Sequence, residues 1–178
     1  MRSGLAQYGK NNITYVPGFG SFARLVAFAS DCPCEQDSWG ERRAMKACQQ
    51  CRKCAESCPT GCISADRFLV HAENCLTWHN ERAKPFADWI KPDWHNALIG
   101  CLGCQQVCPA NRNQLTNIVD GPHFSEAETE RLLRGPLSPD DLSEEMRRKV
   151  ASIATDDSYD VLPRNLDVLI RNQGAGAA

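Results

Sequence analysis

Five cysteines fall within fifteen residues, Cys48 to Cys62, in the run CQQCRKCAESCPTGC. The first four are separated by two, two and three residues, and Pro59 follows the fourth. Part of the pattern returns as Cys101, Cys104 and Cys108, with gaps of two and three and Pro109 behind. This second run lacks a first thiol, and Cys75, alone 26 positions before Cys101, is the natural replacement. So much sulfur at fixed short gaps demands either oxidation to disulfides or a centre that accepts thiolates. The total of 11 cysteines is odd, and the thiols are bunched. The opening MRSGLAQYGKNNITYV also has no basic-then-apolar signal pattern, so disulfides are disfavoured. The apolar run LVAFA is far too short to span a bilayer. A reducing, cytoplasmic setting without membrane attachment is the expectation, and there clustered cysteines usually mean metal.

Cys-x2-Cys-x2-Cys-x3-Cys-Pro is the spacing of bacterial two-cluster ferredoxins. Three thiolates on one loop hold three corners of a [4Fe–4S] cube, and the fourth reaches a second cube while the proline turns the chain. Applied crosswise, Cys48, Cys51, Cys54 and Cys108 ligate the first cluster. Cys58, Cys75, Cys101 and Cys104 then ligate the second. The alternative is zinc, which also accepts four cysteines but usually takes them as two paired knuckles a dozen or more residues apart.

Three cysteines remain. Cys62 follows a PTG turn and suits a packing role. Cys32 and Cys34, in DCPCE, have no evident partners and stay unassigned. Arg42, Arg43, Lys46, Arg52 and Lys53 crowd the first cysteine loop, where cations would raise a cluster's potential and guide an electron donor, or simply form a solvated face. Trp78, Phe86, Trp89 and Trp94 are placed to cover the second cluster. With eight thiols already sufficient, His79 and His95 read as polar wall residues.

The other residues suggest an α+β chain in three segments. Residues 1–35 contain an extended stretch over 13–30 with a turn at PGFG, and 36–115 hold the cysteines. Within that middle part, ERRAMKA reads as a short basic helix and ISADRFLVHAE as a small hairpin. Residues 116–178 form a helical tail. Ser125 and Glu128 make a capping box, and Gly135 ends that helix. Ser138-Pro139 opens another helix with Leu142, Met146, Val150 and Ile153 on one face, and Pro163 opens a third. The final NQGAGAA is expected to fray. A net charge of -2 gives no general attraction to nucleic acid or anionic membrane.

Three stretches carry a family resemblance: CQQCRKCAESCPTGCI, ENCLTWHNE and GCLGCQQVCPANRN. They resemble, in order, CxxCxxCxxxCPTGA, RCISYLTIE and GCDxCQxVCPWN of the epoxyqueuosine reductase family. YGKNNITYVPGFGSFARLVAFASD resembles the family's preceding IGKNTLLINPxFGSFxxLGExLTD. CLTWHNE and WHNALIGC are closer to a broader group of double-cluster relatives. The resemblance implies two [4Fe–4S] clusters that pass electrons to cobalamin, whose reduced cobalt removes the epoxide oxygen of epoxyqueuosine in tRNA. It implies that Lys10 and Asn11 belong to the end of the cobalamin domain, and that Thr77, Leu102 and Gly103 lie on the cobalamin side.

The family has well over a hundred residues before its GKN motif, and here there are eight. The family's acidic proton donor lies in that stretch, so no catalytic residue is assigned. The expected protein is the electron-transfer module of an epoxyqueuosine-reductase-like system, a truncated, split or shortened form that does not reduce epoxyqueuosine alone. Its partners would be a flavodoxin- or ferredoxin-type donor and a corrinoid-binding domain or protein, with tRNA met only indirectly. A free ferredoxin-type carrier without a corrinoid, and a structural zinc or RNA-binding protein, are the rivals.

Overall fold

The computed structural model describes residues 2–33, 35–36, 39–135, 137–153 and 158–175. It combines a two-stranded sheet with short helices, an α+β arrangement, in two compact units. The first unit comprises Met1–His71 with Gly103–Ile118, and the second Ala72–Leu102 with Val119–Ala178. These units cut across the three segments read from sequence. Cys34 lies outside the described residues.

In the first unit, β1 (Gln7–Tyr8) pairs antiparallel with β2 (Thr14–Tyr15), with Gln7 opposite Tyr15 and Tyr8 opposite Thr14. The turn between them needs its small residues. Asn12 sits at φ 58°, a left-handed conformation that asparagine tolerates. A Cβ on Gly9 would run into the Tyr15 ring. The Asn12 amide donates to the Phe68 carbonyl (2.8 Å) and accepts from the Val70 N–H (2.7 Å), fastening residues 68–70 to this turn.

Three local expectations fail here for tertiary reasons. The extended stretch ends with the Val16–Gly20 bridge, and residues 22–30 have no regular structure. Strands need a hydrogen-bonding partner, which hydrophobic alternation alone does not supply. ERRAMKA is not a helix: Ala44 bridges Tyr8 in parallel, with Tyr8 N–H to Arg43 O and Met45 N–H to Tyr8 O both at 2.9 Å. The sheet edge takes the backbone groups a helix would have used, and only a single 3-10 turn follows, Lys46–Cys48. ISADRFLVHAE forms no strands; its loop is closed by His71 N–H to Cys62 O, 2.8 Å. Two short helices complete the unit, α1 (Lys53–Glu56) and α3 (Gly103–Gln106), and they pack together.

The second unit holds α2 (Leu76–Asn80), α4 (Glu126–Leu133), α5 (Glu144–Ile153) and α6 (Leu162–Ala175). Leu132, Leu137, Leu142, Met146, Val150, Tyr159 and Leu162 form its core. The capping box is present: Ser125 Oγ accepts from Glu128 N–H (3.3 Å), and Glu128 Oε2 accepts from Ser125 N–H (2.7 Å). Lys149 from α5 then grips the Glu128 carboxylate at 2.7 and 2.9 Å.

Gly135 follows α4, but at ordinary φ. A Cβ there would approach Pro163 Cγ to 2.8 Å, so it is the contact with α6 that needs glycine. Ser138-Pro139 opens only one turn, Pro139–Asp141. Leu142 is extended, and α5 starts afresh with Ser143 Oγ accepting from Met146 N–H at 3.2 Å. The apolar face is kept by two elements instead of one. Pro163 lies in the first turn of α6, and that helix continues through Asn172, Gln173 and Gly174; the last three residues of NQGAGAA lie outside the described residues. No helix among the described residues is long and apolar enough to cross a membrane.

Candidate cluster-binding site

The two halves of the cysteine motif fold alike. Ser57 N–H bonds to Lys53 O and Cys58 N–H to Ala55 O; fifty positions on, Val107 N–H bonds to Gly103 O and Cys108 N–H to Gln105 O. Gly61 N–H to Cys58 O (3.1 Å) is repeated as Asn111 N–H to Cys108 O (3.0 Å). Each half is thus a short helix carrying the middle thiol, followed by a tight turn at Cys-Pro. Repeated spacing has become repeated backbone geometry.

Cys48, Cys51, Cys54 and Cys108 occupy one neighbourhood. Burial pushes the Cys54 thiol up, and the nearby thiols of Cys48, Cys108 and Cys51 push it the same way. Such mutual disfavour of thiolates is relieved by a bound cation or cationic cluster core. All four are half-buried. Among the described residues, no three His, Cys, Asp or Glu side chains are gathered closely enough to hold a single metal ion.

The remaining four thiols are divided between the units. Cys58 and Cys104 belong to the first, Cys75 and Cys101 to the second. Cys58 has a polarised setting: its sulfur lies 3.5 Å from Cys62 Sγ and 3.5 Å from Thr60 Oγ1. The hydrogen bond from Cys62, strengthened by those from Thr60, outweighs burial and pushes the Cys58 thiol down to about 4. Cys101 receives a hydrogen bond from Asn96 Nδ2 at 3.4 Å, while Asn96 Oδ1 accepts from Leu102 N–H at 3.1 Å. Cys32 is exposed.

Tyr15, Asn96 and Asn111 were not apparent as site residues from sequence. The buried Tyr15 hydroxyl accepts from Asn11 Nδ2 at 3.1 Å. Burial holds the Tyr15 phenol well above its ordinary range, and the adjacent Cys108 adds to this. Asn111 is fully buried; it accepts from Ser21 N–H (2.8 Å) and donates to Ser21 Oγ (2.7 Å) and Gln105 O (2.8 Å). It thereby pins the segment after β2 to the second cysteine turn. Asn96 lies five residues before Cys101 and Asn111 three after Cys108, but Tyr15 is far along the chain from any motif cysteine, so spacing alone does not single them out.

The residues expected on the cobalamin side belong to different elements of the two units. Lys10 and Asn11 lie in the β1–β2 turn, Gly103 opens α3, and Thr77 and Leu102 belong to the second unit. Asn11 is already committed, to Tyr15 and to Ile13 N–H. Arg42, Arg43, Lys46, Arg52 and Lys53 are all exposed. In the second unit Trp89 packs beside His79 (5.2 Å) and Trp94 (6.3 Å), and Phe86 lies 4.3 Å from His95. Trp78 and Trp89 nonetheless remain 44% exposed, so this aromatic group is only partly buried.

Residues 47–111 match the family model described as a 4Fe-4S double cluster binding domain. The eight cysteines of the two motif halves all fall inside that match, which places this part of the chain in the class of double-cluster iron–sulfur domains. Among curated proteins, epoxyqueuosine reductase of Listeria monocytogenes is 31% identical over 111 residues, 62% of this chain and 28% of that protein. The same enzyme of Atelocyanobacterium thalassa is 32% identical over 123 residues, 67% of this chain and 39% of that protein. A solved epoxyqueuosine reductase from Bacillus subtilis covers 96% of this chain and 44% of its own at TM-score 0.63 and 24% identity, a shared fold. One bound to an epoxyqueuosine-modified tRNA stem loop gives 0.62 at 23% identity. The chain is thus similar to epoxyqueuosine reductases over about two thirds of its own length. It spans 28% to 41% of the lengths of the curated relatives it matches.

Proposed function

We propose that the chain is an electron-transfer module that carries two [4Fe–4S] clusters and delivers their electrons to a corrinoid. Cys48, Cys51, Cys54 and Cys108 hold the first cluster, and Cys58, Cys75, Cys101 and Cys104 the second. The observation that carries this reading is the convergence of Cys108 with Cys48, Cys51 and Cys54, partners up to sixty residues apart in sequence. Crosswise sharing of the fourth thiol is the property that separates a two-cluster ferredoxin from a pair of independent zinc knuckles.

The corrinoid step and its eventual substrate, epoxyqueuosine in tRNA, are carried over from the relatives' names and from the resemblance. Lys10, Asn11, Thr77, Leu102 and Gly103 are the residues proposed for the cobalamin side, on a domain or protein that supplies the corrinoid. The exposed side chains of Phe19, Phe22, Leu25, Val26 and Phe28, 43% to 87% accessible, support a docking face of that kind. The five exposed cations around the first cysteine loop suit an acidic donor protein of the flavodoxin or ferredoxin type.

Two cubanes of four irons each require about eight irons per chain. Anaerobic reconstitution followed by iron and sulfide analysis is expected to reach that figure, and Cys108→Ser is expected to lose the same cluster signal as Cys54→Ser. A colourless protein loaded with zinc would overturn the reading. Dispensability of Cys108 for cluster assembly would do the same.

A further inference from the structure

We propose that Cys62 is a positioning residue for the Cys58 thiolate. It donates a hydrogen bond to that sulfur and raises the potential of one cluster relative to the other. The inference rests on the cluster assignment above and concerns a cysteine that takes no part in ligation.

The turn after Cys58 brings Cys62 back over it. Gly61 stands at φ 62°, a left-handed conformation suited to glycine, and its N–H bonds to Cys58 O at 3.1 Å. His71 N–H bonds to Cys62 O at 2.8 Å and fixes the far side of the loop. The Cys62 side chain is only 3% exposed, and its sulfur lies 3.5 Å from Cys58 Sγ. A thiolate bound to iron has no proton, so the pair can be joined only by a hydrogen on Cys62. Thr60 Oγ1, also 3.5 Å from Cys58 Sγ, stands beside it as another donor. Donation to a ligating sulfur draws off negative charge and favours the reduced cluster, which is the more negative state.

The two halves differ at this point. Fifty positions beyond Cys62 the repeat carries Arg112, so the backbone turn recurs while the thiol does not. At the equivalent sulfur, Cys108, the neighbour is the Tyr15 hydroxyl instead, so the Cys62 thiol acts on one cluster alone and its removal is expected to move that cluster's potential by itself.

Redox titration of the anaerobic full chain, followed by electron paramagnetic resonance, tests this with Cys62→Ala and Cys62→Ser. Both variants are expected to keep the parent's iron content. Cys62→Ala lowers one potential and leaves the other in place. The expected change in that cluster's reduction constant is between twofold and tenfold, about 18–59 mV at ~59 mV per tenfold for one electron. Cys62→Ser restores most of it, because a hydroxyl also donates. Unchanged potentials in Cys62→Ala would reduce Cys62 to packing and overturn the proposal. Loss of iron in both variants would make it a ligand instead, and a serine variant matching alanine would also count against donation. Failure of the unmodified chain to bind about eight irons is a separate result that sinks the cluster assignment itself.

Discussion

His95 shows how much a single residue's chemistry escapes a motif search. It is 6% exposed, packed against Phe86, and its Nδ1 has no hydrogen-bond partner among the described residues. Burial, with the nearby Arg164 cation adding to it, holds its pKa below the ordinary 6.5. The unfolded chain therefore takes up a proton that the folded chain refuses. Stability from this group is complete above about 6.5 and falls as pH drops through that value toward the depressed folded pKa. Thermal unfolding followed by helical circular dichroism is expected to show a falling midpoint between about pH 7 and pH 5. His95→Leu should flatten that slope; an unaltered slope would remove His95 from the account. Spacing could nominate the eight thiols because ligation to a cube needs particular residues at particular gaps. It is blind to neighbours such as Cys62 and Asn96, whose partners are brought near by turns. The one hint at Cys62 was that the resembling motif has alanine there.

At the scale of elements, the legible features were those whose causes are local. Ser125 and Glu128 cap α4 from three residues apart, and Pro163 sits in the first turn of α6, because both effects act within one turn. ERRAMKA departs from its local helical preference because its fate is decided by Tyr8, some 36 positions earlier in the chain. The attachment of α6 was hidden for the same reason. Arg164 donates to the carbonyls of His79 (3.0 Å), Asn80 (3.2 Å), Arg82 (3.0 Å) and Lys84 while lying over the Phe86 ring. Asn165, 1% exposed, donates to Asn80 O (2.9 Å) and Leu98 O (2.8 Å) and accepts from Arg164. A helix face thus satisfies a turn that has no regular structure of its own. Asn165→Ala removes the donor to the half-buried Leu98 carbonyl and leaves the Asn80 carbonyl to Arg164 alone, and is expected to cost about 1–3 kcal/mol in urea unfolding. Half-buried Asp167→Ala, on the same helix and paired with the exposed Arg171, should cost no more than about 1 kcal/mol. Equal losses for the two would contradict the special place given to Asn165.

At the scale of the whole molecule, the two units are stabilised by different means. Among the described residues, the second unit has ten buried hydrophobic side chains, seven of them in one core, and the first has four: Ala6, Tyr15, Cys62 and Ile63. The first unit depends instead on side-chain amides such as those of Asn11, Asn12 and Asn111, and on whatever its thiols bind. A centre ligated by Cys48, Cys51, Cys54 and Cys108 would cross-link the two stretches of chain that compose this unit, so that binding free energy becomes folding free energy. Iron removal by a chelator under anaerobic conditions should therefore act unevenly. Amide hydrogen exchange is expected to speed up at the β1–β2 pairing and at the Ser57, Cys58 and Asn111 N–H groups. Protection should persist in α4, α5 and α6, whose shared core of leucine, methionine and valine needs no metal. Uniform loss of protection through those three helices would show that the second unit also draws its stability from the clusters. Full retention in the cysteine turns would show that the amide network suffices without them.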